Sequence, residues 1–254
     1  NEWTVLDPAI SKDFAYLKTL GDGEVNIVSE SFDDRFWVMV LTRSDASAKY
    51  YLYDRTAGKA AFWFDVRPAL AHEKLSVMHP VEIAARDGLK LVSYYTLPLE
   101  TDPAGSGKAE HPVPMVLFVH GGPWGRDDYG YNSYHQWLAN RGYAVLSVNY
   151  RASTGFGKAF VNAGDLQWGR KMHDDLIDAV QWAVKNRITE ADKVAIMGGS
   201  YGGYATLAGL AKAAARALKA QGQSTVSLGY DDSLYTGPGL APGWPAAYVS
   251  TGNV

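Results

Sequence analysis

The sequence contains no cysteine, which excludes disulfide bonds, thiolate nucleophiles and cysteine-bound metal sites. Cysteine usage therefore assigns no cellular compartment. No apolar run of about 18 residues occurs, so no membrane-spanning helix is expected. The first residues, NEWTVLDPAI, lack the basic-then-apolar pattern of a signal peptide. The chain also begins without methionine, and we expect a mature form or a fragment.

The chain has little net charge of either sign. Its 24 basic and 27 acidic residues give a formal net charge of -3. Because a nucleic-acid-binding face is rich in lysine and arginine, neither nucleic acid nor a membrane is an expected partner. With 47% hydrophobic and 13% aromatic residues, the 254-residue chain can bury the core of one large domain or two small ones.

Residues 1–64 are predicted to be entirely β. Turn residues separate four short runs rich in β-branched and aromatic residues, which are VNIVSESF, RFWVMVLTR, KYYLYDR and KAAFWF. Four strands in a meander have the size of one β-propeller blade. Because a single four-stranded sheet leaves both edges unpaired, we expect residues 1–78, this blade and its connector, to pack on the rest of the chain or on a second copy.

From residue 79 onward the pattern changes to strands that alternate with helices. VEIAARDGLKLVSYYTLP predicts a hairpin that turns at Asp87-Gly88, and three apolar runs predict strands buried on both faces: VPMVLFVHG, YAVLSVNYR and KVAIMGGS. Helices are predicted in SYHQWLANRG, HDDLIDAVQWAVKN and YATLAGLAKAAARALKA. The alternation predicts an α/β domain with a parallel sheet over residues 79–222. Residues 223–254 are predicted to be an irregular tail with one short strand, STVSLGY.

A serine with glycines on both sides lies where the third predicted buried strand meets a predicted helix. The segment is Gly198-Gly199-Ser200-Tyr201-Gly202, in the position that a nucleophile elbow requires. The turn is so tight that the flanking positions need residues without side chains, which Gly198 and Gly202 supply. The N–H of Tyr201 would then point, with the helix N-terminus, at a developing oxyanion. The alternative is a glycine-rich turn whose serine has no chemical role.

A second glycine pair ends the first buried strand, in FVHGGPWG. Gly121 and Gly122 free a backbone N–H there to act as the other oxyanion donor. We assign His120 to shaping this loop in preference to proton transfer. The predicted oxyanion hole therefore comprises Tyr201, Gly121, Gly122 and the neighbouring His120.

Aromatic residues follow this loop, and a tyrosine and an arginine end the next predicted strand, YAVLSVNYR. They can line a substrate pocket at the carboxyl edge of the sheet, or they can be ordinary helix and loop packing. The candidate pocket residues are Trp124, Tyr129, Tyr131, Tyr150 and Arg151.

Acidic residues and a histidine offer a different chemistry, that of a metal hydrolase. The candidate ligands are Asp127, Asp128, His173, Asp174 and Asp175. No H-E-x-x-H spacing is present, and an acidic pair in the first turn of a helix commonly serves the helix dipole. We therefore expect neither a metal nor a cofactor.

Several long segments resemble successive parts of the prolyl oligopeptidase family, in its acylaminoacyl-peptidase and dipeptidyl-peptidase branch of serine peptidases. They are RDGLKLVSYYTLP, FVHGGPWGRDDYGYNSYHQWLANRGYAVLSVNYRASTGFGKAF, WGRKMHDDLIDAVQWAVKN and DKVAIMGGSYGGYATLAGL. The opening segment, with YYLYDR and MHP, is similar to the last propeller blade before the hydrolase domain there. The resemblance covers about residues 1–211 and implies an α/β-hydrolase fold. It also implies Ser200 as nucleophile, Tyr201 as oxyanion donor beside the loop of residues 120–122, and peptide or small-ester substrates.

The sequence departs from that family after residue 212. In α/β-hydrolases the acid and the histidine follow the serine in chain order, but all six histidines of this chain precede Ser200. The candidate acids are Asp231 and Asp232, and the candidate bases are His135, His173 or a histidine of a second copy. We expect a family member truncated at both ends, with a foreign ending and weak serine hydrolase activity. The alternative is a catalytically inactive fragment that only folds or oligomerises.

A truncated sheet and a lone blade both expose apolar edges. A second copy is the nearest source of complementary strands, so we expect a homo-oligomer.

Overall fold

The computed structural model describes residues 3–220, so the predicted strand STVSLGY and the candidate acids Asp231 and Asp232 lie outside the described residues. Two β-sheets organise the compact unit formed by residues 1–211. The first is the antiparallel meander β1 (Glu24–Glu30), β2 (Phe36–Thr42), β3 (Lys49–Asp54) and β4 (Lys59–Asp65), with the strands adjacent in chain order. The predicted four-stranded blade is confirmed.

The prediction that residues 1–64 are entirely β is wrong. A 3₁₀ turn at Pro8–Ile10 leads into helix α1 (Ser11–Leu17). Asp7 begins the turn by accepting a hydrogen bond from the N–H of Ala9, and proline suits a first helical position. Phe14 and Leu17, three residues apart on one face of α1, pack into the core of the blade.

A buried carboxylate fixes α1 to the blade. Asp13 accepts a hydrogen bond from the hydroxyl of Tyr53 at 2.7 Å and forms an ion pair with Arg55 at 3.1 Å. Both partners come from the end of β3 and the turn that follows it. Because an unpaired buried charge is costly, these partners make α1 part of the blade.

The second sheet is mixed. It contains β5 (Met78–Ala84), β6 (Lys90–Thr96), β7 (Met115–Val119), β8 (Ala144–Val148) and β9 (Val194–Gly198), in the order β5-β6-β8-β7-β9. Strands β8, β7 and β9 are parallel, as the alternation predicted, and the predicted hairpin at Asp87-Gly88 adds the antiparallel pair β5 and β6 beside β8.

Helices cover both faces of this sheet. They are α2 (Ser133–Ala139), α3 (Lys158–Asn162), α4 (Lys171–Lys185) and α5 (Tyr201–Ala220). Leu176 and Ala179 of α4 pack in the larger core with Leu146 of β8. Leu138 of α2 packs with Val116 and Val145 on the other face. No helix within residues 3–220 combines the length and apolarity needed to cross a membrane.

Strand β9 is not buried on both faces, contrary to the prediction from KVAIMGGS. Among the described strands only β7 pairs with it, and Ala195 is exposed while Ile196 and Met197 are half-buried. The described neighbours therefore cover only part of the apolar surface of β9. Its final residue, Gly198, leads directly to the serine.

Candidate active site

Ser200 occupies a strained, exposed bend between β9 and α5. Its φ is +56°, in the left-handed region that non-glycine residues rarely adopt. This conformation costs roughly 1–2 kcal/mol for a residue with a Cβ. The strand-to-helix turn predicted at this position is present, and it presents the serine side chain to solvent.

The two flanking glycines are required by the close approach of β7. A Cβ at Gly198 would lie 2.6 Å from the carbonyl oxygen of Val119, and a Cβ at Gly202 would lie 2.2 Å from the same oxygen. Both distances are well inside van der Waals contact. The end of β7 therefore packs against both sides of the turn, and any side chain at these two positions would push the turn away.

The loop after β7 runs directly past the serine. A Cβ at Gly121 would lie 3.3 Å from the Cβ of Ser200 and 3.9 Å from its Oγ. Gly122 has a φ of +121°, and a Cβ there would lie 2.4 Å from the backbone nitrogen of Trp124. The loop thus places backbone, without intervening side chains, beside the serine hydroxyl.

The start of α5 supplies the second set of amide groups. N–H groups in the first turn of a helix have no partner within the helix. The N–H of Gly202 donates back to the carbonyl of Gly199 at 2.9 Å, whereas that of Tyr201 has no backbone acceptor in the described part of the chain. The loop and the helix start therefore form the two sides of the arrangement predicted for an oxyanion hole.

His120 holds the loop and is not free to act as a base toward Ser200. Its Nδ1 lies 2.8 Å from the carbonyl oxygen of Gly121, and its Nε2 lies 2.9 Å from the Oγ of Ser153. Its ring stacks on that of Tyr150 with centroids 4.4 Å apart. Burial lowers the pKa of His120, which favours the neutral ring.

The other two candidate bases lie elsewhere. His135 is buried between the hydroxyls of Thr96 and Ser147, at 2.9 and 2.8 Å, and burial lowers its pKa to about 3. The Cε1 of His173 lies 3.2 Å from the position that a Cβ on Gly209 would take. That glycine is about 12 Å along α5 from the elbow, at 1.5 Å per helical residue.

The aromatic residues around the elbow differ in part from those predicted. The ring of Tyr201 lies 5.3 Å from that of Tyr150, 4.9 Å from that of Trp168 and 5.7 Å from that of Tyr204. Sequence reasoning missed Trp168 and Tyr204. Tyr204 could have been found from its three-residue spacing to Tyr201 on a helix, but no local signal connects Trp168 to the elbow.

Two predicted pocket residues lie beside the oxyanion loop and a third is engaged elsewhere. Trp124 follows the glycine pair after Pro123 and is 62% exposed. Tyr150 is fully buried, and its hydroxyl donates to the carbonyl of His120 at 2.8 Å. Arg151 is also buried, in an ion pair with Asp175.

The remaining predicted pocket residues contact the connection to the blade. The hydroxyl of Tyr129 lies 3.3 Å from the Oγ of Ser44, just after β2. The ring of Tyr131 lies 4.5 Å from the guanidinium carbon of Arg67, just after β4. The structure therefore does not bring the five predicted pocket residues together.

Two of the residues considered as metal ligands, Asp174 and Asp175, are engaged in ion pairs. Arg86 pairs with Asp174 at 3.4 Å, and Arg151 pairs with Asp175 at 2.7 Å. Within residues 3–220, no group of three histidine, aspartate or glutamate side chains is placed to hold a metal ion.

Asp127, in the loop after β7, carries a buried carboxyl oxygen. Its backbone N–H donates to Asn149 at 2.8 Å, and the side-chain amide of Asn149 donates back to its carbonyl at 3.1 Å. Its Oδ2 has no hydrogen-bond partner among the described residues. Burial, assisted by the nearby charge of Asp128, raises the pKa of Asp127 to about 7.

The mixed sheet with helices on both faces, and the strand-to-helix turn after β9, define part of an α/β-hydrolase fold. The structure is similar to that of the acylaminoacyl peptidase of Pyrococcus horikoshii, with a TM-score of 0.60 and 23% identity over 74% of this chain and 29% of that chain. The α/β-hydrolase fold expected from the resemblance is confirmed.

The sequence comparisons identify the family. Residues 129–222 match the model of the prolyl oligopeptidase family. The chain is 58% identical over 210 residues to dipeptidyl aminopeptidase BIII of Pseudoxanthomonas mexicana, and 40% identical over 224 residues to dipeptidyl peptidase family member 6 of Caenorhabditis elegans. These matches cover 83% and 82% of this chain and 30% of each relative. The chain belongs to the prolyl oligopeptidase family and spans about a third of the length of these relatives.

The approach of β7 to the elbow predicts opposite effects at two adjacent glycines. Gly202→Ala should destabilise the protein by about 3 kcal/mol, because its methyl group would overlap the carbonyl of Val119. Gly203→Ala is the matched control. Its methyl group would lie 3.4 Å from the carbonyl of Gly198, an ordinary contact, and alanine favours a helix by about 1 kcal/mol over glycine. Denaturant unfolding measures both, and equal effects would contradict the packing described.

The buried carboxyl of Asp127 predicts a pH-dependent stability. Because its pKa is raised to about 7 in the folded protein, the folded state keeps a proton that the unfolded state loses above about pH 4. The stability linked to this proton is complete below about pH 4 and is lost progressively as the pH rises from about 4 through 7. Asp127→Asn should therefore gain about 1–3 kcal/mol over the wild type at pH 8 and little at pH 4. Thermal unfolding at both pH values measures this gain, and a gain independent of pH would refute the assignment.

Proposed function

We propose that this chain is a serine hydrolase acting on peptides or small esters, with Ser200 as the nucleophile. One observation carries the proposal: an exposed serine with a φ of +56° lies against a side-chain-free loop and the first turn of a helix. Attack of its Oγ on a carbonyl carbon would place negative charge on the carbonyl oxygen. The N–H of Tyr201 and an N–H of the Gly121-Gly122 pair would bind that oxygen.

The names of the relatives support a peptide as substrate. One is named as a dipeptidyl aminopeptidase and one as a dipeptidyl peptidase family member, and the structural neighbour is named as an acylaminoacyl peptidase. Around the elbow, the exposed rings of Tyr204 and Trp168 pack beside the buried ring of Tyr201 and form an aromatic surface suited to an apolar side chain of the substrate. Trp124, in the loop after β7, adds a further exposed ring.

We propose that the activity is weak because none of His120, His135 and His173 is placed to accept the proton of Ser200. His120 and His135 have both ring nitrogens within hydrogen-bonding distance of other groups, and His173 on α4 contacts α5 at Gly209, far along that helix from the serine. In enzymes that have lost their triad, the oxyanion hole and substrate binding alone leave roughly 10³- to 10⁴-fold acceleration over water. That range suits activated esters better than peptides. Asp231 and Asp232 remain the proposed acids.

A fluorophosphonate probe tests the nucleophile. We expect the probe to modify Ser200, and peptide mapping of the labelled protein should locate the adduct there. Ser200→Ala should abolish labelling, and Ser200→Gly should abolish it while raising the melting temperature, because glycine adopts a positive φ without the cost of roughly 1–2 kcal/mol. Identical labelling of the wild type and Ser200→Ala, or no labelling of either, would favour the non-catalytic fragment.

We also propose that the chain forms a homo-oligomer, with edge strand β4 as an interface. Its aromatic residues Phe62 and Trp63 are each 58% exposed, and no described strand pairs with its outer edge. Unpaired apolar edge strands readily pair with another chain.

Sedimentation velocity tests the oligomer. The expected mass exceeds that of the 27.7 kDa chain, and Phe62→Lys should shift it toward the monomer. Phe32→Lys is the matched control, because Phe32 is fully exposed in the turn between β1 and β2, away from β4. A monomer at all concentrations would contradict the proposal.

A further inference from the structure

Arg151, the third residue after β8, forms a buried clamp between three parts of the fold. Its guanidinium donates to both carboxylate oxygens of Asp175 on α4, at 2.7 and 2.8 Å, and to both oxygens of Asp87 in the β5–β6 turn, at 3.0 Å each. Its backbone N–H also donates to Asp175 at 2.9 Å. The side chain is 5% exposed and that of Asp175 is fully buried. Two bidentate contacts of one guanidinium fix both the position and the orientation of the backbone that carries it.

The turn that Arg151 fixes, residues 149–154, is bonded to the oxyanion loop, residues 120–127. The hydroxyl of Tyr150 donates to the carbonyl of His120 at 2.8 Å, and the N–H of Thr154 donates to the carbonyl of Gly125 at 2.9 Å. Further bonds join His120 to Ser153 at 2.9 Å and the Asn149 side chain to the Asp127 backbone at 2.8 and 3.1 Å. The loop therefore takes its shape from this turn along most of its length.

The loop in turn contacts the nucleophile. A Cβ on Gly121 would lie 3.3 Å from the Cβ of Ser200. A shift of the turn by a fraction of an ångström would pass through these bonds to the backbone beside the serine hydroxyl. Oxyanion stabilisation depends on donor positions at this scale.

We propose that Arg151 is a positioning residue for the reaction at Ser200, acting through the 149–154 turn on the geometry of the oxyanion loop. The inference rests on the proposed function. Arg151 itself does not reach the reacting atoms, because its guanidinium is committed to Asp87 and Asp175. The Asp175 carboxylate, two residues along α4 from His173, thus serves the loop by orienting Arg151.

A second ion pair between the same elements provides a matched control. The guanidinium of Arg86, next to Asp87, donates to Oδ1 of Asp178 on α4 at 2.7 and 3.0 Å and to Oδ2 at 3.2 Å. Asp178 lies three residues from Asp175, nearly one helical turn. This pair also joins the hairpin turn to α4, but it makes no hydrogen bond or ion pair with residues 149–154. A substitution of Arg86 therefore shows the effect of weakening the connection between the β5–β6 turn and α4 alone.

The experiment compares Arg151→Lys with Arg86→Lys in the full chain. Lysine keeps the charge but cannot make the two forked contacts. In Arg151→Lys, amide hydrogen exchange should accelerate in peptides covering residues 120–127, and the rate of fluorophosphonate labelling at Ser200 should fall by about 10-fold or more. In Arg86→Lys, exchange of the same peptides should be unchanged, and the labelling rate should stay within about twofold of the wild type.

The outcomes separate the two proposals. Unchanged exchange in the 120–127 peptides of Arg151→Lys, or the same acceleration in Arg86→Lys, would overturn the positioning role. If the wild type is not labelled, the proposed hydrolase function fails, and hydrogen exchange alone still decides whether Arg151 orders the loop. If Arg151→Lys does not fold, the comparison is repeated with Asp87→Asn and Asp178→Asn. Asp87→Asn removes one of the two carboxylates that bind Arg151, and Asp178→Asn removes one of the two that bind Arg86. Faster exchange of the loop in Asp87→Asn alone would support the role, and equal exchange in both would refute it.

Discussion

The contact between the end of β7 and the glycines of the elbow is the constraint on which the site depends. The carbonyl of Val119 lies so close to positions 198 and 202 that neither can carry a side chain. This approach forces the chain to reverse within a few residues, which puts Ser200 in a left-handed conformation at the surface. It also places the loop that continues from β7 beside that serine. One close backbone contact thus determines the strain, the exposure and the amide environment of a single hydroxyl.

Two kinds of polar group hold the loop beside the serine. His120 and Tyr150 contact its backbone, and burial favours the uncharged form of both side chains. The charged groups Arg151, Asp87 and Asp175 act one step further away, because they fix the turn of residues 149–154 to which the loop is bonded. The loop geometry therefore depends on neutral contacts that are themselves positioned by buried charges.

The features predicted correctly from the sequence are those with a local signal. The blade strands have alternating aromatic and β-branched residues, the hairpin has Asp87-Gly88, and the elbow has glycines between an apolar run and a helix-forming run. Features that depend on distant contacts were missed. Helix α1 is short and owes its place to the burial of Phe14 and Leu17 and to the partners of Asp13, which lie beyond β2. The exposure of β9 depends on which strands flank it, and Trp168 reaches Tyr201 only through the tertiary fold. Arg151 could be assigned to the correct edge of the sheet, but its partners could not be predicted, because acidic residues at many positions would satisfy the same local pattern.

The attachment of α1 to the blade bears on how this part of the chain could be exchanged between proteins. A blade that began at β1 would leave the hydroxyl of Tyr53 without its carboxylate and Arg55 with Asp34 alone, and it would uncover the apolar surface that Phe14 and Leu17 occupy. The segment that recombination can move intact is therefore a helix together with its sheet, residues 11–65. A boundary drawn at β1 would separate the buried carboxylate of Asp13 from Arg55, its only described counter-ion.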